Sequence, residues 1–314
     1  MHRNPLDGPP FEALVRELRE ALVKLSGLDD VTRTFRRIRA SQPQERRLAR
    51  HVQSSAAPAL AEPEPPPPAG HEDIERARNV VASLLPSKPP QVQGMDVAVF
   101  SRFRHEVGGD YYDFLPLPDG RLAIAIADVS GKGVAAAIVM VMLREILHMM
   151  VTVDRAPVET MAATNSRLAR DMPRGMFVTF LYTVLDPRQR ELRLVNAGHC
   201  PPIMWRPRLT GARMLTLRGP ALGMLGPEPF AKAIVERTLK LEPSDCLCLF
   251  TDGVSEAKNL LGEDFGERRL ASVLRNNGHR PAKDVAEAII AAVDAHSEGA
   301  TQHDDMTLIV LKVT

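Results

Sequence analysis

From Gly94 onward the chain is written in short β-rich runs separated by turn residues, and that pattern narrows the fold more than anything else in it. "DFLPLPDGRLAIAIADVS" reads as two strands joined by a Pro-Asp-Gly turn, and "MFVTFLYTVLDPRQRELRLVNAG" repeats the hairpin around Asp186 to Arg190. "MDVAVFSRF", "AKAIVERTLKL", "DCLCLFTDGV" and the terminal "MTLIVLKVT" read as further strands. Helical spacing is expected at 134–150, 157–170, 267–276 and 281–296. Strands grouped as hairpins, with helices grouped between them, argue for antiparallel sheets covered by helices and against βαβ winding. The expected class is α+β, an antiparallel β-sandwich flanked by helices, with a small N-terminal helical region.

The chain has 314 residues, enough for one large domain and a smaller part. Residues 11–50 read as arginine-rich helix, in which Phe11, Leu14, Val15, Leu18, Leu22 and Leu25 form an apolar stripe. "SSAAPALAEPEPPPPAG" follows, a proline run suited to an extended spacer. "EDIERARNVVASLL", residues 72–85, is then an amphipathic helix ended by Pro86. The expected organisation is a helical regulatory or interaction region at 1–52, a Pro-rich linker at 53–70, a linker helix at 71–92 and the main domain at 93–314. The apolar stripe makes a homodimer through the N-terminal and linker helices an expectation.

With 40 Lys+Arg against 39 Asp+Glu, no global field favours a nucleic acid or an anionic membrane as partner. The longest apolar run, "VAAAIVMVML", stops at Arg144, well short of the roughly 20 residues of a membrane span. The start has no signal-peptide pattern, and a cytoplasmic protein is the expectation. Cys200, Cys246 and Cys248 lack zinc-ligand spacing and read as core residues.

The chemistry lies in acids set at the ends of apolar runs. Asp110 and Asp113 sit at a strand start in "GGDYYDF", Asp128 ends "LAIAIAD", Asp252 ends "CLCLFTD", and Asp304 and Asp305 precede "MTLIVLKV". A buried carboxylate needs a compensating partner, and apart from Lys132 no lysine or arginine adjoins Asp110, Asp128 or Asp252 in sequence. Hard oxygen donors without His or Cys suit Mg²⁺ or Mn²⁺. Two such ions about 4 Å apart activate a bridging water against a phosphoryl group. Gly108, Gly109, Gly131, Gly133 and Gly253 fit that reading by letting backbone approach closely. An isolated Asp-Gly is more often a turn or a helix cap.

Taken together, "VGGDYYDF", "IADVSGKGVAAA", "FVTFLYTVLD", "LVNAGHCPPIM", "ALGML", "LFTDGVSEAKN", "FGERRL" and "HDDMTLIVLKV" resemble the bacterial metal-dependent phosphatases of the type 2C superfamily. The most similar branch holds stage II sporulation protein E and the phosphatases of sigma-factor partner switching, and the resemblance covers roughly residues 74–314. It implies a type 2C phosphatase fold, two Mn²⁺ or Mg²⁺ ions, and hydrolysis of phosphoserine or phosphothreonine on a protein, commonly a STAS-domain anti-anti-sigma factor. It also implies that Asp110, Asp128, Asp252 and Asp304 carry catalysis, with the Val129 carbonyl as a backbone ligand and Asp305 as a further metal candidate. Asp113 is expected beside the ligands, Tyr111 and Tyr112 in the core, and Asn196 and His199 in a turn. The eukaryotic-type members carry a histidine two positions after the central aspartate, where this chain has Ser130, and an N-terminal arginine for phosphate that has no clear counterpart here. A non-catalytic scaffold of the same fold, and a nucleotide cyclase suggested by "GGDYYDF" alone, are the competing readings.

Overall fold

The computed structural model describes residues 71–104, 108–208 and 211–314. The helical region expected at 1–52 and the Pro-rich linker at 53–70 lie outside these residues. Contacts divide the chain into two units at Ala82/Ser83. Helix α1 (His71–Leu84) covers nearly the span expected from its periodicity.

The second unit, Ser83–Thr314, is built on two five-stranded antiparallel sheets. One has β1 (Met95–Arg102), β10 (Met306–Val313), β9 (Cys246–Phe250), β6 (Ile203–Trp205) and β7 (Ala212–Met214), in that order. The other runs β2 (Tyr111–Pro116), β3 (Leu122–Val129), β4 (Val178–Asp186), β5 (Glu191–Ala197) and β8 (Glu236–Lys240). Helices α2 (Val134–Met150) and α3 (Pro157–Asp171) pack on the second sheet, and α6 (Gly266–Asn277) and α7 (Ala282–His296) on the first. All eight residues of β10 and all five of β9 are buried, so both faces of the first sheet are covered. One face meets the helix pair and the other faces the neighbouring sheet, which is the α+β sandwich expected from the hairpin pattern.

The local reasons are visible in the residues. Ala136, Met140, Leu143 and Leu147 recur every three or four positions and form the buried stripe of α2. Gly133, at φ 67°, adopts the positive-φ conformation that lets this helix start after a four-residue link from β3. Helix α3 opens on Pro157, and the Glu159 carboxylate accepts the Ala156 N–H at 3.0 Å.

Two expectations are corrected. "AKAIVERTLKL" is not one strand: α4 (Pro227–Ala233) occupies its start and only Glu236–Lys240 pairs, with β5. Pro227 follows Gly226 at the first helical position, and the run from Pro227 to Ala233 has its single buried side chain in Phe230. Asp252 does not end a strand but opens the four-residue helix α5 (Asp252–Ser255).

Phe250 is fully buried in the core between the first sheet and its helices. Phe250→Ala is expected to cost about 3–5 kcal/mol, and to lower the thermal midpoint by roughly 10 °C in scanning calorimetry.

Candidate active site

Four chain segments meet where β3 ends, β2 begins, β9 ends and β10 begins. They carry Asp128 and Val129, Asp110, Asp252, and Asp304 and Asp305. The antiparallel pairing of β2 with β3 sets Tyr111 opposite Ala127, which brings the residue before β2 alongside the end of β3. Glycines make the approach possible. A Cβ on Gly109 would stand 3.0 Å from the Val129 carbonyl oxygen, and one on Gly253 only 1.8 Å from the Asp305 carbonyl oxygen. Gly108 is under the same constraint, since its Cβ would stand 2.2 Å from Asp305 Oδ2.

Asp110 is 2% exposed and latches the two sheets together. Its Oδ2 accepts hydrogen bonds from the hydroxyls of Thr251, at 2.8 Å, and Thr307, at 2.7 Å. Those threonines are paired in turn: Thr307 N–H donates to Thr251 Oγ1 at 2.9 Å, and Thr251 N–H to the Thr307 carbonyl at 3.0 Å. Neither threonine was singled out from the sequence. The only signal was position, each hydroxyl standing within two residues of a strand-end acid.

Asp305 has both oxygens engaged by backbone. Oδ1 accepts Arg104 N–H at 2.7 Å and Oδ2 accepts Gly109 N–H at 2.9 Å, so it holds the segment that leads into Asp110. Asp304 Oδ1 caps the Asp305 N–H at 2.9 Å.

Burial and mutual repulsion dominate the electrostatics. Burial, then Asp252, Asp304, Asp305 and Glu256, push the Asp128 carboxyl up to about 7. Burial, then Glu256 and Asp304, push Asp252 up to about 6. Asp110 is raised well above the carboxylate range by burial and then Asp128, partly offset by the two threonine hydroxyls. Asp305 is raised by burial and by Asp304, against the backbone N–H groups of Arg104, Gly109 and Asp110. Glu256 thus joins the acids, a residue the sequence did not suggest because it follows α5 and abuts no strand. Among the described residues, no lysine or arginine forms an ion pair with any of the five aspartates. Arg104 and Lys132 turn instead to the His303 carbonyl, Lys132 at 3.5 Å.

The donor set, carboxylates and one carbonyl, has the chemistry of a Mg²⁺ or Mn²⁺ site. Among the described residues, no three His, Cys, Asp or Glu side chains close on a single ion position. Mg²⁺ does not require that, because it retains several waters and takes only one or two carboxylates.

The remaining candidates are placed as follows. Asp113 lies in β2 and accepts from Tyr111 Oη at 2.9 Å and Phe114 N–H at 2.7 Å, with His148 Nε2 2.7 Å away; it faces α2 and not the acids. Tyr111 and Tyr112 are buried in the core. Asn196 brackets His199 through two hydrogen bonds, as expected of a turn. Ser130 ties its loop to the segment before β4, its Oγ accepting Phe177 N–H at 2.8 Å and its N–H donating to the Phe177 carbonyl at 3.0 Å. Two surface depressions, of about 330 and 620 Å³, lie around the β2–β3 and β4–β5 turns at the opposite end of the sheet.

Comparison with solved structures gives the class: a type 2C (PP2C) phosphatase fold. The SiaA-PP2C domain of Pseudomonas aeruginosa superimposes with a TM-score of 0.67 at 21% identity, covering 77% of this chain and 96% of that one. The phosphatase domain of SpoIIE from Bacillus subtilis superimposes with a TM-score of 0.52 at 18% identity, covering 70% and 91%. The family model for stage II sporulation protein E (SpoIIE) matches residues 118–314, and the chain belongs to that family. Protein IcfG of Synechocystis is 29% identical over 268 residues, which is 76% of this chain and 41% of that protein. Phosphoserine phosphatase RsbU of Bacillus subtilis is 26% identical over 243 residues, covering 76% and 70%. The chain therefore spans well under half of IcfG and about two thirds of RsbU.

The raised carboxyls have a consequence for stability. A group with a higher pKa folded than unfolded stabilises the fold fully below the unfolded value, and that stabilisation is lost as pH rises through the folded value. For Asp128 and Asp252 the window runs from about 4 up to about 7 and about 6 respectively. In EDTA the thermal midpoint is expected to fall between about pH 4 and pH 7, and Asp128→Asn to flatten that fall, as measured by calorimetry across the range.

Proposed function

We propose that the chain is a metal-dependent protein serine/threonine phosphatase that hydrolyses a phosphoserine or phosphothreonine on a STAS-domain anti-anti-sigma factor in the cytoplasm. The observation that carries this reading is the convergence of acids from four strand ends of both sheets, Asp110 and Asp305 buried and Asp128, Asp252 and Asp304 half-buried, with no basic counter-ion among the described residues. Family membership supports it, as do relatives that bear the name phosphoserine phosphatase, RsbU and RsbP of Bacillus subtilis.

In this reading Asp110, Asp128, Asp252, Asp304 and the Val129 carbonyl hold the cations, and Asp305 serves mainly to hold the backbone N–H groups of Arg104 and Gly109. Two Mn²⁺ or Mg²⁺ ions, when bound, supply a nucleophilic water at neutral pH and positive charge for the phosphoryl oxygens. The protein's own contribution is to fix its acids before the substrate arrives. The hydroxyls on Asp110 Oδ2 leave Oδ1 as its free donor edge. Partial burial at the strand ends limits the screening of the carboxylates by bulk water. Arg104 and Lys132, on loops that flank Asp304, put positive charge beside the acids where a phosphate would enter. Among the described residues, no helix is long and apolar enough to cross a membrane, in keeping with a diffusible substrate.

The test is phosphate release from p-nitrophenyl phosphate and from phosphorylated STAS-domain proteins of the same organism, with Mn²⁺ and with EDTA. Asp128→Asn and Asp252→Asn are each expected to reduce the Mn²⁺-dependent rate by about 100-fold or more. Full activity in both variants would refute the reading. A folded wild-type protein that binds Mn²⁺ but releases no phosphate would favour a scaffold of the same fold.

A further inference from the structure

A buried imidazole lies close behind the acids without being one of the proposed cation ligands. His199 follows β5 and is 6% exposed. Its backbone is held on both sides by Asn196, whose Oδ1 accepts the His199 N–H at 2.7 Å and whose Nδ2 donates to the His199 carbonyl at 2.9 Å. The preceding Gly198 has φ 73°, and a Cβ there would stand 3.1 Å from Ala221 N. The turn therefore fixes the ring's direction, which is inward.

Inside, His199 Nδ1 lies 2.9 Å from Thr179 Oγ1, and that hydroxyl lies 3.3 Å from the carbonyl oxygen of Asp128. Thr179 is the β4 residue directly paired with Asp128 of β3. A hydroxyl has one proton and a carbonyl can only accept, so Thr179 donates to Asp128 and accepts from His199 Nδ1–H. That assignment makes Nε2 the unprotonated nitrogen. Nε2 is the atom of the ring that is buried without a partner among the described residues. Burial pushes the ring's pKa down to about 4, opposed by the Phe250 backbone, so the imidazole stays neutral at working pH; the Phe250 carbonyl is the acceptor that the competing Nε2–H tautomer would use, although Nε2 makes no hydrogen bond in this geometry. Phe250 ends β9, two residues before Asp252.

We infer that His199 is a positioning residue for the cation site proposed above: through Thr179 it orients the Asp128–Val129 peptide, and its ring fills the gap between β4 and the end of β9. The inference rests on the reading of the strand-end acids as that site. It assigns a polar role to a position that core packing alone would fill equally well with phenylalanine. The two roles predict different variants to be harmless.

The experiment is calorimetric Mn²⁺ titration of the full chain, with melting curves in EDTA to confirm folding. His199→Asn puts an amide N–H near the Nδ1 position, so its affinity is expected within about threefold of wild type. His199→Phe and Thr179→Val are each expected to weaken Mn²⁺ binding about tenfold or more. The double variant Thr179→Val/His199→Phe should be no weaker than either alone, as for two members of one relay. The ¹⁵N imidazole shifts of wild-type His199 should report a neutral Nδ1–H tautomer. Wild-type affinity in folded His199→Phe and Thr179→Val, or an Nε2–H tautomer, would overturn the relay while leaving the cation site standing. If His199→Phe does not fold, Thr179→Val decides alone. Absence of saturable Mn²⁺ binding by the wild-type protein would instead overturn the site reading, and the relay with it.

Discussion

Carboxylates crowded at the buried ends of strands repel one another, and the rest of this structure is arranged around tolerating that repulsion. Asp128 feels Asp252, Asp304, Asp305 and Glu256, while Asp110 feels Asp128 and Asp305. Without a cation such a cluster is relieved only by taking up protons. The protein does not neutralise it with its own basic residues, although Arg104 and Lys132 are within reach of the same loops. A fold that gathers acids at partly buried strand ends and keeps lysine and arginine out of ion pairs with them favours a positive guest.

What makes the cluster stiff is a small set of polar bonds between distant segments. Thr251 and Thr307 clamp Asp110 across the two sheets, and Asp305 holds the backbone N–H groups of Arg104 and Gly109. The glycines beside them are there for clearance: at Gly253 any side chain would overlap the Asp305 carbonyl. Ser130, standing where the eukaryotic-type enzymes have histidine, ties its loop to Phe177 and so holds the backbone that carries Val129. Each of these contacts links one strand end to another, which is why acids spread from position 110 to position 305 act as one group.

The architecture was legible in the sequence wherever residues alternate or recur locally. The β2–β3 and β4–β5 hairpins, α2 and α7 follow from local periodicity and turn chemistry, and the strand-end acids stood out because they interrupt apolar runs. "AKAIVERTLKL" misled because its β-branched residues hide a helix that starts earlier, at Pro227. The short strands β6 and β7 carry too few residues for alternation to register. The threonine clamp and the His199–Thr179 contact were invisible for another reason: they join residues 20 to 197 positions apart, and a serine or threonine reads locally as a turn or cap residue. Asp305 stood out by adjacency to Asp304, and its bonds to the Arg104 and Gly109 N–H groups join residues about 200 positions apart that no local pattern links.

The central claim is that these strand ends form one cation site. Anomalous diffraction at the manganese edge from crystals soaked in Mn²⁺ tests it directly. Peaks are expected within about 2.0–2.4 Å of carboxylate oxygens of Asp128 and Asp252 and of the Val129 carbonyl. Crystals with Mn²⁺ bound only elsewhere, or with Lys132 or Arg104 paired to those acids in its place, would contradict it.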